Sequence, residues 1–341
     1  MKVVHIESGL GNQMLSYSEL LLLKKINNPD EFYLETIIYD IPECNDIIRQ
    51  WYGYELDRIF GIDTPNIKTL FSDKEWNNII YEVRKTKFWS NWNYPPNIVK
   101  VLNRHGLDLM NYRGEINLSA GDSLKTRLTN NRCGYFIKRI LRPFYQRIYA
   151  NRMSDRERMY LITNDNAYTG QWLGLMKVNS GIEIIEEEIR NTFVFPKITD
   201  DKNLKMKEVI VGCNSVAVHA RRGDAMGTNE FCYKYGYFRR AVSYIKKRVD
   251  HPVFVFFTDP GSMSWCRENS KIFNLDFRKD KVIFVDWNKE EESYRDMQLM
   301  SYCKHNIITN SSFGWWGAFL NSNPSKITCA PSVWINTTIH L

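Results

Sequence analysis

The sequence has no run of 18 uncharged apolar residues, so no stretch of it reads as a membrane-spanning helix. It also lacks paired cysteines. Cys44, Cys133, Cys213, Cys232, Cys266, Cys303 and Cys329 are scattered, odd in number and never in C-x-x-C spacing. That pattern argues against both a zinc site and a disulfide framework and suits a reducing compartment. No Asp-x-Asp flanked by apolar strand residues is present to hold Mg²⁺, and no metal or bound cofactor is expected. The N-terminus begins directly with a strand pattern and carries no signal-peptide pattern, so a soluble, cytoplasmic protein is expected. What is abundant is aromatic: 14% of residues, with ten tryptophans, a composition suited to handling sugars or bases. The length of 341 residues suits two domains. A net charge of +7 favours an anionic partner.

The chain is organised around residues 215–224, S-V-A-V-H-A-R-R-G-D. Its valine-rich start reads as a strand buried on both faces, and it ends in His219, Arg221, Arg222, a glycine and Asp224. Ligands of open α/β sheets bind at the carboxyl ends of strands, and guanidinium forks match phosphate oxygens. In isolation the same residues also read as a solvated, salt-bridged loop.

The N-terminal half opens with a strand over 1–7, then S-G-L-G-N-Q and a helix over 14–26. A glycine-containing strand-to-helix turn brings N–H groups and the helix dipole toward an anion. As a dinucleotide fingerprint it is weak, because Met14 stands where G-x-G-x-x-G needs its third glycine. Asn12 and Gln13 are placed to reach a phosphate or sugar. A strand is expected over 32–39 and a helix over 73–85 with Asp73 as N-cap. Trp89, Trp92 and Tyr94 form an aromatic cluster that either stacks on a sugar or packs under its loop. Residues 125–158 are the most basic stretch, with aromatic residues at near-helical spacing, and read either as a core-facing stripe with a solvated cationic back or as a membrane-surface or anionic-ligand element.

The C-terminal half alternates clearly. Strands are expected over 215–220, 253–258, 281–285, 305–309 and 326–330, with helices over 236–249, from about 262, and over 291–303. A loop is expected between Asp224 and Gly236. Repeated βα units predict a parallel sheet covered on both faces. Asn310, Ser311 and Ser312 sit at a strand end and open a helix, where hydroxyls and N–H groups can converge on an anion or simply cap the helix. Trp315 and Trp316 are expected in the core.

Three motifs, G-L-G-N-Q-M, H-A-R-R-G-D and D-M-Q-L-M-S-Y-C-K-H-N-I-I-T-N-S-S-F-G-W-W-G-A-F-L-N, occur in order over nearly the whole chain. Together they resemble the α-1,2-fucosyltransferase family (glycosyltransferase family 11), bacterial type. The G-Q-W at 170–172 resembles a further family segment. The resemblance implies an α/β, GT-B-like protein with two Rossmann-like domains facing a cleft: residues 1–200 on the acceptor side and 201–341 binding GDP-fucose. It implies inverting, metal-independent transfer of fucose to the 2-hydroxyl of a terminal β-galactoside, with GDP-fucose as co-substrate. By motif position, Arg221 contacts the β-phosphate with Arg222 supporting it. His219 and Asp296 contact guanine, and Asn310, Ser311, Ser312 and Phe313 form a phosphate- and nucleotide-contacting turn. Asn12 and Gln13 approach from the N-terminal domain.

For the catalytic base, Asp224 and Glu230 are the candidates, Glu230 lying in the expected loop. Two positions depart from the family pattern: Ala225, where an aromatic residue is usual, and Gly314, where serine is common. Without a Cβ, Gly314 is expected to loosen the helix start. The acceptor is expected to be a galactose-terminated oligosaccharide or lipid-linked glycan at the inner face of the membrane, with residues 125–158 associating peripherally. Another fucosyltransferase type (1,6- or O-fucosyl) is the alternative enzyme. A basic, non-catalytic nucleotide- or nucleic-acid-binding protein is the non-enzymatic one, but no RNA-binding motif is visible and no nucleic-acid partner is expected.

Overall fold

The computed structural model describes residues 1–27, 31–47, 52–90, 94–113, 133–134, 136–137, 140–141, 144, 166–170, 182–223 and 226–331. Asp224, Ala225, Trp92, Gln171, Trp172 and nearly all of 125–158 therefore lie outside the described residues. The chain divides into two compact units, the second beginning at Phe195.

The first unit is built on β1 (Lys2–His5), β2 (Phe32–Glu35), β3 (Met110–Asn111) and β4 (Ala167–Thr169). All are parallel, in the order β2-β1-β4-β3. Of its helices with eight or more described residues, α1 (Leu10–Ile26) directly follows the glycine turn, four residues earlier than the sequence pattern suggests. The other two, α2 (Asp73–Lys85) and α3 (Tyr94–Arg104), close a core around Val3, Trp76, Ile79, Ile98 and Tyr168. Ser72, not Asp73, caps α2. Its hydroxyl accepts from Glu75 N–H while Glu75 accepts from Ser72 N–H, a reciprocal capping box. The strand expected over 32–39 stops at Glu35 and gives way to a 3₁₀ turn, Ile37–Asp40. Glu35 itself holds that turn, accepting from Ile37 N–H. Trp89 packs partly buried against the core beside Phe88.

The second unit has β5 (Ser215–Ala220), β6 (Val253–Thr258), β7 (Lys281–Phe284), β8 (His305–Ile307) and β9 (Thr328–Cys329). They are parallel in the order β7-β6-β5-β8-β9. The long helices are α4 (Asp201–Val211), α5 (Met226–Lys234), α6 (Tyr237–Lys246), α7 (Tyr294–Tyr302) and α8 (Ser312–Phe319). Two cores flank the sheet. Val216, Val218, Phe254 and Phe256 face α6, whereas Ala217, Val255 and Phe257 face α4 and α7. Burial on both faces is why β5 and β6 read as unbroken apolar runs. Trp315 and Trp316 are fully buried, as expected. Both units are thus α/β with wholly parallel sheets. The segment after the arginines is not a loop throughout: residues 226–234 form α5, placing Glu230 on a helix.

All seven cysteines are free thiols. No helix among the described residues is long and apolar enough to cross a membrane.

Candidate functional site

In the second sheet the sequence runs outward from β5 through β6 to β7, then returns to the other side of β5 as β8 and β9. The order reverses between β5 and β8, and in open α/β sheets that reversal opens a crevice at the carboxyl ends of the strands. Both C-terminal motifs land there. H-A-R-R-G ends and follows β5, His219 and Ala220 being its last residues, and T-N-S-S-F-G comes after β8. Arg221 N–H lies 3.4 Å from Thr309 Oγ1, which joins the two motifs directly.

Asp259, the first residue after β6, organises the arginine turn. One carboxylate oxygen accepts from Arg221 Nη1, and the other accepts from the N–H groups of Arg222 and Gly223, the latter at 2.7 Å. Its carboxylate is 1% exposed, so charge-assisted bonds to three donors are needed to offset its burial. Arg221 keeps 24% of its side chain exposed, which presents a cation at the strand end. The Tyr233 hydroxyl donates to Arg221 O at 2.9 Å, and Thr258 Oγ1 donates to Ala220 O at 2.6 Å. The guanidinium of Arg222 turns aside and lies 3.2 Å from the centre of the Trp265 ring, a cation–π contact. Neither Asp259 nor Trp265 stands out in the sequence, where Asp-Pro-Gly reads only as a turn. The one available signal was an acidic residue ending the strand predicted next to β5.

Across the crevice, Asn310 is buried, and α5 clamps it. Asn229 Oδ1 accepts from Asn310 N–H at 2.8 Å, and Asn229 Nδ2 donates to Asn310 O at 3.2 Å. Asn229 is fully buried, whereas its neighbour Glu230 is exposed and ion-paired with Lys234 one turn further on. Ser311 occupies the N-cap position of α8 with extended backbone, yet its side chain makes no capping hydrogen bond. Ser311, Ser312 and Phe313 are all half-buried.

His219 is 4% exposed and stacks on Phe313, ring centres 5.8 Å apart and 28° between planes. Burial, with Arg221 adding to it, pushes its pKa down to about 3, so the imidazole is neutral. Nδ1 is buried without a hydrogen-bond partner. This ring explains Gly314: a Cβ there would come 2.4 Å from His219 Nδ1. The helix start is therefore not loosened by the glycine. The histidine occupies the space a side chain would take.

Half-buried Asp296 lies on α7, with Oδ1 accepting from Asn288 Nδ2 at 2.7 Å. Burial raises its pKa to about 7; Asn288 opposes that rise and Asp286 adds to it. Asn288 is itself held by Asn203, which also accepts from Trp287 Nε1 at 2.9 Å.

In the first unit, Ser8 adopts a left-handed conformation (φ 67°) at the turn after β1. Its carbonyl accepts from Gln13 Nε2 at 2.9 Å and from Tyr39 Oη at 2.7 Å. Gln13 is fully buried; its amide also donates to Gly53 O and accepts from Glu55 N–H. The side chain holds two loops together, and Asn12 beside it remains half-buried. Beneath the turn lies a polar cluster. His5 contacts Glu35 at 2.5 Å and Glu7 at 3.5 Å, Arg113 pairs with Glu7, and Tyr168 Oη donates to Glu35 at 2.6 Å.

An α/β unit whose strand switch point joins a buttressed arginine to a serine-led helix start has the architecture of a nucleotide- or phosphate-binding protein. Comparison with known proteins narrows that class. Residues 185–340 match the model of Glycosyl transferase family 11. The chain is similar to an Alpha-1,2-colitosyltransferase of Escherichia coli, 37% identical over 155 residues, which cover 44% of this chain and 50% of that one. It is also similar to the O-antigen biosynthesis glycosyltransferase WbnK of Escherichia coli, 34% identical over 144 residues (40% and 44%). A Galactoside alpha-(1,2)-fucosyltransferase 1 of Ateles belzebuth is 34% identical over 110 residues (31% and 28%). The matched stretch thus spans half or less of each of these relatives.

Proposed function

We propose that the chain is an inverting fucosyltransferase of GT-B type. It moves L-fucose from GDP-β-L-fucose to the 2-hydroxyl of a terminal β-galactoside and does so without a metal ion. The observation that carries this reading is Arg221, held by Asp259 at the strand switch point inside the family-11 stretch. In the reaction the bond between the fucose anomeric carbon and the β-phosphate oxygen breaks, and a bond to the acceptor oxygen forms on the opposite face. GDP leaves with growing negative charge. Arg221, fixed before the reaction begins, stabilises that charge through hydrogen bonds that need no reorganisation. The α8 N-terminus with Ser311 and Ser312 adds N–H groups and hydroxyls on the β8 side. Arg222, spread over Trp265, supports the turn. His219 and Phe313 flank the nucleotide, and Asp296 accepts N–H groups of guanine. In the first unit, Asn12 at the α1 N-terminus is placed to contact an anionic or sugar group.

The acceptor proton passes to Asp224 or, in a late and dissociative step, to solvent. Glu230 is the weaker candidate because Lys234 engages it at the surface. The name of the colitosyltransferase relative favours a second reading: a donor carrying colitose, which is fucose without its 3-hydroxyl. The acceptor is a galactose-terminated oligosaccharide or lipid-linked glycan.

GDP release tests the proposal, measured with GDP-fucose and GDP-colitose, with lactose or N-acetyllactosamine as acceptor, and with chelator present. Acceptor-dependent release that survives the chelator and disappears in Arg221→Ala supports it, and NMR of the product then fixes the linkage. Release from GDP-colitose alone selects the second reading. Neither release nor donor protection against thermal unfolding refutes both.

A further inference from the structure

Helix α6, Y-F-R-R-A-V-S-Y-I-K, contains no acidic residue. Its inner face, Tyr237, Phe238, Ala241, Val242 and Ile245, is buried against the sheet. Its outer face carries Arg239, Arg240 and Tyr244 and continues through Lys247 and Arg248, all exposed. At 100° per residue these five span about half the helix circumference. Among the described residues none of the four cations is ion-paired. Nearby acids are otherwise placed: Asp280 pairs with Lys246, Asp276 lies 3.9 Å from Lys279, and Asp250 stands beyond the helix end. Tyr244, 45% exposed, sits in the middle of the stripe with the Arg248 guanidinium 3.6 Å from its ring centre. A cationic half-cylinder with a central tyrosine is complementary to a phospholipid headgroup layer, where basic side chains meet phosphate and the phenol ring sits at the interface.

The position of the helix adds a reason. The Tyr237 hydroxyl lies 2.7 Å from Cys329 O and also bonds Ile308 O, so the N-terminal end of α6 is anchored at the carboxyl ends of β8 and β9. Arg239 and Arg240 therefore stand at the end of the sheet that holds the Arg221 cradle.

We infer that the outer face of α6 docks the second unit onto an anionic phospholipid surface, with the switch-point crevice close to the headgroups. This assignment does not depend on which sugar is transferred. It concerns residues other than 125–158, and the two sets are separable by mutation.

The test uses the full chain in co-sedimentation with vesicles of phosphatidylcholine alone or mixed with phosphatidylglycerol. The expected result is binding only to the mixed vesicles, lost in about 1 M salt, where the screening length falls to about 3 Å. R239E/R240E/K247E/R248E is expected to bind about tenfold or more weakly, because charges that met phosphate now oppose it. The control K202E/K205E, reversing two exposed lysines on α4, should bind as the wild type does. Circular dichroism and thermal midpoints unchanged from wild type in both variants would show that the fold survives. Equal binding by the wild type and the α6 variant would overturn the inference, as would binding of phosphatidylcholine alone. So would charge-dependent capture of RNA without vesicle binding, which would make the face a nucleic-acid surface.

Discussion

Asp259 and Arg221 form an ion pair between the ends of two adjacent strands, β6 and β5, and the same carboxylate takes the N–H groups of Arg222 and Gly223. Arg221 is thus set by a residue 38 positions away in sequence. Replacing Asp259 by Asn puts an N–H₂ group among donors and removes the charge. The expected outcome is a fall in kcat of roughly two to three decades, as for the loss of one preorganised donor. Asp259→Ala should also lose about 1–3 kcal/mol of stability, because buried N–H groups are left without a partner. GDP release and denaturant midpoints measure the two effects separately. Wild-type turnover in Asp259→Asn would remove this carboxylate from the mechanism.

Arg221→Lys keeps the charge and loses the fork. Turnover is expected to drop nearly as far as in Arg221→Ala. Retained activity would mean that point charge suffices and that the planar geometry is irrelevant.

Gly314→Ser places a Cβ where the His219 ring lies. The ring must move, and Phe313, stacked on it, must move with it. Overpacking of this kind costs about 1–3 kcal/mol, and the donor KM should rise with it. Equilibrium unfolding checks the first effect and initial-rate kinetics the second. An unchanged midpoint would show that the ring yields without cost.

If Asp296 reads guanine as proposed, its carboxyl, with a pKa raised to about 7, must be ionised to accept both guanine N–H groups. Donor affinity is therefore expected to rise as pH increases through 7 and then level off. Asp296→Asn should bind more weakly and show no such step. A KM for GDP-fucose that is flat from pH 6 to 8 in the wild type would contradict the assignment.

Two of the buried histidines, His5 and His219, make opposite contributions to stability. Burial alone would lower the His5 pKa, but Glu35 and Glu7 outweigh it and raise the value to about 9. Its stabilisation is complete below the unfolded value near 6.5 and is lost as pH rises through 9, on the order of 3 kcal/mol in all. His219, depressed to about 3, acts at the other end: the unfolded chain takes up the proton below about 6.5, so stability falls as pH drops toward 3. Thermal unfolding across this range should show a maximum near neutrality. In His5→Gln the alkaline decline should largely disappear.

The parallel α/β units are legible in the sequence, because strands covered on both faces are continuously apolar and alternate with segments of helical periodicity. So are the two polar clusters that end β5 and β8, since arginines, serines and asparagine directly after an apolar run have no core to enter. Tertiary structure alone decided how those clusters work. The Asp259 carboxylate is meaningful only because β6 lies beside β5. Likewise, Asn229 matters where Glu230 had been expected because α5 turns it onto Asn310. Gln13 reads in the sequence as a ligand contact, whereas its amide bonds Ser8, Gly53 and Glu55. Gly314 reads as a weak point, whereas the His219 ring packs against it. Each of these contacts joins residues far apart in the chain, except Gln13 with Ser8. Short-range pattern carries the periodicity of elements but not which side chain meets which across them.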